Sequence, residues 1–513
     1  MKRLLRKICL VALVLGLFSE SALANYGEAL NYYRANRLYE AAGLFFQAKE
    51  LAQTTAEKRA AEWYLADCLQ RIGFLYSASK YYTLIVRRGY ESNNPYFRRA
   101  LEELGRINNS VSLGQSQIVE LFKANVDPSA IPGAARGFYF YYLGVEQYSQ
   151  GKFKAARNYF DKVPPGSSYA SGAEFHLGVI ANLAGRHSEA ITNFKRVRER
   201  IAGDENRQLL WEMATMNLAR VHYEIRRFPE ALSYYGEIPR DSDNWLDALW
   251  EASWAYFMIQ KHNNTLGVIH TLHSPFFDNR FYPESYILQS ITFLRLCRYE
   301  EAKGSLKDFQ KRYKDTLSSA RELVRSFNND SDGFFRLIYD YRTGTLNRFQ
   351  KASEILDRVS RSDAYREAAD TIRFATIELN QLGSKGRAWS SSGLQSELKD
   401  FLNAKKKAAA EDAGTRMYKA ADGYYDYLKD LDNQSGLVLS EILLENINKL
   451  RKQINVESAA SRKQFIGGLQ ELKLGETLEY WPFLPNEYWE DELGYYVYNL
   501  ASRCDEGGKS NDK

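Results

Sequence analysis

The stretch GKFKAARNYF (151–160) recurs as GRHSEAITNF (185–194), and this repetition decides the fold. A glycine, a small residue and a ring each recur at an interval of 34 residues: Gly151 and Gly185, Ala156 and Ala190, Phe160 and Phe194. A glycine suits the left-handed residue that closes a helix, and an alanine and a ring four residues apart lie on one face of the next helix. Each stretch therefore predicts the turn and the second helix of a helical hairpin.

The residues that precede each stretch predict the first helix of the same hairpin. They are apolar at helical spacing and contain Leu143-Gly144 in one copy and Leu177-Gly178 in the other. Small residues let two helices approach closely, and the ring fills the space beside them. Because one hairpin cannot bury its apolar face alone, we expect the hairpins to stack.

This pattern resembles the tetratricopeptide repeat, whose period is 34 residues. Weaker copies of the phrase are centred on a small residue elsewhere in the chain: Ala41, Ala78, Ala231, Gly267 and Ala302. Together with a degenerate copy, whose helices fall near 95–107 and 114–124, the copies cover residues 25–312. The resemblance implies an all-α fold in which antiparallel hairpins stack into a right-handed α-solenoid.

The sequence changes in character after the repeats. Residues 313–383 keep helical periodicity, 384–393 have the composition of a linker, and 394–474 contain two long amphipathic stretches that predict a helical hairpin or a short coiled coil. The second stretch carries an apolar stripe that can pair the chain with a second copy: Leu439, Leu443, Ile447, Leu450 and Ile454. Residues 475–504 are rich in aromatic side chains, and 505–513 form a polar tail.

The first 24 residues have the organisation of a secretory signal peptide. A basic start is followed by eleven residues without a charge (8–18) and by Ala22-Leu23-Ala24 before the expected cleavage point. Removing residues 1–24 lowers the net charge from +5 to +2, because they carry four basic residues and one acidic residue. No long basic block remains, so the charge pattern argues against nucleic-acid binding.

Three cysteines remain after the signal peptide: Cys68, Cys297 and Cys504. An odd number leaves at least one thiol unpaired or bridged to another chain. Cys68 and Cys297 fall within helical patterns, where a buried cysteine acts as a small apolar residue. We therefore expect that disulfides do not define the fold.

Three short patterns suggest chemistry, and each has a simpler structural explanation. Residues 77–80 match S-x-x-K but lie within a repeat helix, while His270 and His273 have a spacing that suits zinc but lack a third ligand nearby in the sequence, so ordinary surface or loop histidines explain them better. Residues 328–335 (NNDSDGFF) resemble the start of a calcium loop. The same residues can also end one helix and cap the next through Asp332, so both alternatives stay open. We expect no cofactor and no metal centre.

The resemblance places the partner-binding surface on the concave face, along the first helix of each hairpin. The candidate residues there are mostly aromatic or aliphatic: Tyr141, Val145, Tyr148, Phe175, Met216, Arg220, Tyr223 and Tyr256. Such a surface fits an extended or helical apolar ligand better than a terminal carboxylate. The alternative is that about half of these rings pack between neighbouring helices.

The aromatic segment near the C-terminus also has two interpretations. Trp481, Phe483 and Trp489 either seal the end of the array or form an exposed docking patch, since Trp is common in binding hot spots. This ending is similar to the C-termini of repeat proteins that are associated with bacterial gliding motility.

These observations favour a non-catalytic scaffold of the bacterial cell envelope that binds a partner protein or peptide, as part of an assembly, division or motility machine. The alternative is an enzyme that acts on the cell wall or another envelope substrate, with its site in the C-terminal half. No recognisable motif there combines a nucleophile with a base, and no apolar run after the signal peptide is long enough to span a membrane. The expected location is the periplasm.

Export predicts a defined mature N-terminus. Cleavage after Ala24 should leave Asn25 as the first residue of protein recovered from the envelope fraction, which N-terminal sequencing measures. Recovery only from the cytosol, with Met1 still in place, would contradict this prediction.

Overall fold

The computed structural model describes residues 25–89, 94–114, 118, 121, 131–383, 385–457 and 487–504. Within these ranges the chain forms helices and turns, and none of their residues lies in a β-strand. Residues 25–34 form helix α1. The helices that follow in the described chain are α2 (Leu38–Leu51), α3 (Thr55–Ile72), α4 (Leu75–Arg87), α5 (Phe97–Ser110), α6 (Arg136–Ser149), α7 (Phe153–Phe160), α8 (Ala170–Leu183), α9 (His187–Arg200), α10 (Gln208–Glu224), α11 (Phe228–Tyr235), α12 (Trp245–Met258), α13 (His262–Leu272), α14 (Glu284–Arg295), α15 (Tyr299–Ser326), α16 (Ser331–Thr343), α17 (Ser353–Ser360), α18 (Asp363–Gln381), α19 (Arg387–Ser391) and α20 (Leu394–Glu457).

Successive helices pair as hairpins, which confirms the predicted all-α, tetratricopeptide-type repeat fold. The hairpins of the repeat region are α1–α2, α3–α4, α6–α7, α8–α9, α10–α11, α12–α13 and α14–α15. Helix α5 is the first helix of the degenerate copy, and most of its predicted second helix lies outside the described residues, as do the predicted signal peptide and the polar tail.

One backbone feature recurs in each of the seven hairpin turns that the structure describes. The residue two positions before the second helix has a positive φ, and its N–H donates to the carbonyl three residues earlier. The residues in this position are Asn36, Gly73, Gly151, Gly185, Arg226, Gln260 and Cys297. Only three of these residues are glycine. In the other four turns a residue with a side chain adopts the left-handed conformation, so the glycine that marks the turn at Gly151 and Gly185 is absent from the sequence.

In the hairpins α6–α7 and α8–α9, the two helices touch where a glycine of the first helix meets a phenylalanine ring of the second. A Cβ added to Gly144 would lie 2.5 Å from the ring of Phe160, and one added to Gly178 would lie 2.7 Å from the ring of Phe194. Both rings are 0–1% exposed, as are Ala156 and Ala190 on the same helices. These contacts confirm that the small residues lie at helix crossings.

The chain divides into two compact units. The first unit comprises the residues up to His176 together with Ser362–Arg416. The second comprises Leu177–Arg361 together with the residues from Met417 onward. Each unit therefore combines part of the repeat array with part of the long helix α20.

Residues 385–393 of the predicted linker belong to the first unit. Most of them are exposed, but one side chain is fully buried. These residues contain α19, whose Trp389 is fully buried and meets Tyr39 edge-on at 5.3 Å between ring centroids. Gly43 of α2 permits this contact, because a Cβ there would collide with the Ala388 carbonyl group. The Ser-rich and Gly-rich composition of this stretch did not indicate that Trp389 would be buried.

Helix α20 is continuous over 64 residues, so the break expected between two amphipathic stretches does not occur. At 1.5 Å per residue it is about 96 Å long. Leu443, Ile447 and Leu450 of the predicted stripe are 42%, 44% and 50% exposed. None of the described helices combines the length and the apolar character that crossing a membrane requires.

Filling the glycine–ring contact should destabilise the array. Gly144→Leu and Gly178→Leu each force a side chain into a buried phenylalanine ring, and overpacking of this kind costs about 1–3 kcal/mol of unfolding free energy. Gly423→Leu is the matched control, because a Cβ at that helical position meets nothing within 4 Å. Chemical unfolding measures the effect, and equal stability of all three variants and the wild type would contradict the packing.

Candidate functional site

The candidate residues of the first unit gather around His176, which the sequence analysis did not single out. Its imidazole lies 5.1 Å from the ring of Tyr148 and 6.0 Å from that of Tyr141. It stacks on Phe160 at 4.9 Å with an interplanar angle of 4°. Phe175 is only 8% exposed, so it belongs to the packing and not to an open surface.

Burial sets the charge state of this aromatic cluster. It lowers the pKa of His176 to about 4 and raises the pKa of the Tyr141 hydroxyl. Both groups are therefore neutral near pH 7, and the cluster presents rings in place of charge. Val145 and Tyr148 stay half-buried at its edge, where a ligand can still reach them.

The candidate residues of the second unit surround one core cluster between α10, α11 and α12. Met216 is 4% exposed and lies inside this cluster, so it does not line an open groove. Tyr223 and Tyr256 pack against the same cluster but remain half-buried. The structure thus leaves two tyrosines accessible on neighbouring first helices.

Arg220, predicted to face a partner, is held by a carboxylate that the sequence analysis missed. Its Nε donates to Glu251 Oε2 at 2.9 Å and its Nη2 donates to Oε1 at 2.6 Å. The Tyr235 hydroxyl donates to the same Oε2 at 3.0 Å. The guanidinium side chain is still 49% exposed, so the ion pair forms a fixed polar edge beside the two tyrosines.

The described C-terminal residues, 487–504, lie against α13 and the turn between α14 and α15. They form a short 3-10 helix (Glu490–Glu492) and a turn (493–495), and residues 496–503 have no regular secondary structure. Main-chain groups make most of the polar contacts. Tyr498 N donates to Asn263 O at 3.1 Å, Arg503 N donates to Leu296 O at 2.9 Å, and Leu500 N donates to Asn263 Oδ1 at 3.1 Å. These contacts place the described part of the segment over α13 and this turn of the second unit.

The predicted aromatic residues of this segment have separate outcomes. Trp481 and Phe483 lie outside the described residues. Trp489 is 50% exposed, and its main chain is held by Tyr496: the Trp489 N–H donates to the hydroxyl at 2.5 Å, and the hydroxyl donates to the Trp489 carbonyl at 3.3 Å. Leu493 and Tyr496, which sequence reasoning did not single out, are the buried anchors at 3% and 4% exposure.

His270 contacts the C-terminal segment and His273 contacts α14, so neither is an ordinary surface histidine. His270 is buried, stacks on Tyr488 at 4.4 Å, and donates from Nε2 to the Glu487 carbonyl at 2.9 Å. His273 bonds Ser285 through Nε2 at 2.7 Å. Burial lowers the pKa of both, to about 3 for His273. No group of three metal-ligating side chains occurs in the part of the chain described.

Gly267 does not occupy the position of the repeat alanine. In the hairpins whose second helix carries that alanine it is the fourth residue of the helix, and in α13 the fourth residue is the fully buried Thr265. Gly267 instead lies beneath the C-terminal segment, because a Cβ there would collide with the Tyr496 carbonyl oxygen. The repeat copy that contains Gly267 therefore holds the C-terminal segment of the chain.

Two of the three cysteines are paired, and one thiol stays free, as the odd number predicted. Cys297 and Cys504 form a disulfide across 207 residues, while Cys68 is buried and free. Cys297 is not inside a helix, since it holds the left-handed turn position between α14 and α15. The bond ties the end of the C-terminal segment to that turn.

A cleft of about 710 Å³ lies beside the segment in the second unit. Helices α13–α15 line it with His270, Tyr286 and Arg312, and the segment adds Tyr488, Tyr498 and Leu500. The cleft is lined by aromatic rings and by hydrogen-bonding groups. The Arg312 guanidinium already forms an ion pair with Glu354 at 3.2 Å.

The remaining short patterns have structural roles. Ser77 Oγ donates to Glu378 Oε2 at 2.7 Å, and Tyr76 N donates to Oε1 at 2.7 Å, so the buried Glu378 caps the start of α4. Lys80 pairs with Glu397 at 2.6 Å. In the predicted calcium loop the helix cap is Asp330, not Asp332, because its side chain accepts from Gly333 N at 2.9 Å.

Comparisons with known proteins return solved structures alone: no family model matches the sequence, and no curated protein matches it. One similar structure is the Rap conjugation gene regulator of the plasmid pLS20 in complex with the Phr* peptide, at 11% identity and a TM-score of 0.28, over 66% of this chain and 96% of the other. Another is yeast Tom70, at 12% identity and a TM-score of 0.20, over 83% of this chain and 99% of the other. With TM-scores this low, neither supports a conclusion about function.

Gly267→Ala should displace the C-terminal segment without disturbing the repeat core. The added Cβ collides with main chain that cannot rotate away, so amide hydrogen exchange should accelerate at Gly494, Tyr498 and Leu500. Gly304→Ala on α15 is the matched control, because its Cβ meets nothing within 4 Å. Equal exchange in both variants would mean that the segment does not depend on close approach at Gly267.

His176 should make the stability of the protein fall in mild acid. Its folded pKa of about 4 lies below the ordinary value of 6.5, so the folded state favours the neutral ring. This contribution is complete above pH 6.5 and is lost as the pH falls towards 4, at up to about 1.4 kcal/mol per pH unit. Urea unfolding across this range should show a shallower pH dependence for His176→Gln, and an unchanged slope would contradict the assignment.

Proposed function

We propose that this protein is a non-catalytic scaffold that binds a partner protein or peptide in the bacterial cell envelope. The observation that supports this most is the accessible aromatic surface on α10 and α12. Tyr223 and Tyr256 pack against one core cluster yet keep part of each ring accessible. Rigid tyrosines of this kind supply much of the energy of protein interfaces.

The ion pair between Arg220 and Glu251 gives this surface a polar edge. Interfaces commonly surround apolar anchors with polar groups that exclude water, and a pair already satisfied within the chain adds little desolvation cost of its own. The partner that fits is an extended or helical peptide whose apolar side chains meet the two rings. Met216 and Phe175 no longer belong to the proposed contact, since both are buried.

The envelope location rests on two independent features. The N-terminal sequence has the organisation of an export signal. The bond between Cys297 and Cys504 is consistent with an oxidising compartment, where structural disulfides persist. Within the envelope, assembly, division and motility machines are the processes that use such scaffolds.

Replacing the two accessible tyrosines should weaken partner capture. Tyr223→Ala with Tyr256→Ala removes both anchors, each worth on the order of 2 kcal/mol if it is a hot spot, which is about thirtyfold in affinity. Quantitative pull-down from envelope extracts, with melting temperatures measured on the same samples, separates lost binding from lost stability. Tyr339→Ala is the matched control, because that ring is 51% exposed on α16 of the same unit.

Two outcomes decide against the proposed surface. Wild-type capture by the stable double variant would rule it out. A large fall in melting temperature with unchanged capture would assign both tyrosines to packing alone.

A further inference from the structure

Residues 496–503, which form neither helix nor turn, are held on α13–α15 in the way that a helical surface holds a peptide ligand. Asn263 clamps one residue from both sides: its Oδ1 accepts from Leu500 N at 3.1 Å and its Nδ2 donates to Leu500 O at 3.4 Å. Arg298 Nε donates to the Ala501 carbonyl at 3.3 Å. These bonds go to main-chain atoms, so they do not depend on which side chains the bound chain carries.

Two buried side chains and three consecutive acidic residues distinguish this segment from other chains that the groove could bind. Leu493 and Tyr496 enter the surface, and Gly494 between them places its N–H 2.8 Å from Thr271 Oγ1. The acidic residues 490–492 remain exposed, beside Arg240, whose Nη1 donates to the Asp491 carbonyl at 3.1 Å. Residues 490–495 make a short 3-10 helix and a turn, in which Tyr495 N donates to Glu492 O at 2.9 Å. The groove therefore suits an acidic chain that turns at the pattern Leu-x-x-Tyr.

The disulfide controls how long the segment stays in this groove. A chain tethered next to its site rebinds at an effective concentration in the millimolar range, and a covalent bond removes dissociation of that end altogether. Cys504 is exposed, so the bond is open to attack by a thiolate. The one free cysteine in the described chain, Cys68, is buried, and burial raises the pKa of its thiol.

We propose that residues 487–504 are an internal ligand, latched by the Cys297–Cys504 disulfide, and that reduction of this bond opens the groove on α13–α15 to an acidic Leu-x-x-Tyr chain of another protein. The reductant is a dithiol. It transfers two electrons and two protons, the sulfur–sulfur bond breaks into two thiols, and the dithiol becomes a disulfide. The latching contacts lie on α13–α15, whereas Tyr223 and Tyr256 lie on α10 and α12, so different substitutions test the two proposals.

The first experiment tests the latch in the full chain. Amide hydrogen exchange at Tyr498, Leu500 and Arg503 should be at least tenfold faster after dithiol treatment, and in Cys504→Ser without treatment. Cys68→Ser is the matched control and should behave as the oxidised wild type does. Equal protection in the oxidised and reduced chains would overturn the latch.

The second experiment tests the groove. The probe is a fluorescent synthetic peptide with the sequence of residues 487–504 and serine in place of the cysteine. Its host is the full chain with Cys504→Ser, Leu493→Asp and Tyr496→Asp, which weaken the internal competitor and leave α13–α15 intact. Saturable binding is expected there, at least tenfold tighter than to the oxidised wild type and at least tenfold weaker when Asn263→Ala is added. No binding to this host, or equal binding to the oxidised wild type, would overturn the internal-ligand proposal.

Discussion

The contact between a glycine on one helix and a buried phenylalanine ring on the next sets the geometry on which the rest of the structure depends. At Gly144 and Gly178 the absence of a Cβ lets the rings of Phe160 and Phe194 lie directly against the helix backbone. This close approach fixes the distance between the two helices in the hairpins α6–α7 and α8–α9.

The fold could be predicted from the sequence in the hairpins that contain both the glycine–phenylalanine pair and a glycine in the turn. The 34-residue interval was visible at Gly151 and Gly185 because both turns use glycine in the left-handed position. The turns at Arg226, Gln260 and Cys297 adopt the same conformation with side chains that carry no such signal. The break expected between the two amphipathic stretches does not occur, and a glycine such as Gly436 within an exposed helix costs only about 1 kcal/mol.

Most of the candidate site depends on contacts between residues far apart in the chain, and periodicity carries no information about these. Glu378 caps α4 from 301 residues away, and Cys504 reaches Cys297 across 207 residues. Gly267 looked like a degraded alanine because its true contact, the carbonyl of Tyr496, lies in another part of the sequence. Which of the candidate side chains are accessible and which are buried also depends on such long-range contacts. Tyr223 and Met216 have similar places on α10, and only the three-dimensional packing buries the methionine.

A double-mutant cycle on Gly144 and Phe160 tests the central contact most directly. Gly144→Ala adds a methyl group where the ring lies, and Phe160→Leu removes part of that ring. If the two residues share one space, the double variant should be more stable than the sum of the single losses predicts, by about 0.5–3 kcal/mol. Additive losses, measured by chemical unfolding, would show that the glycine does not set the helix spacing.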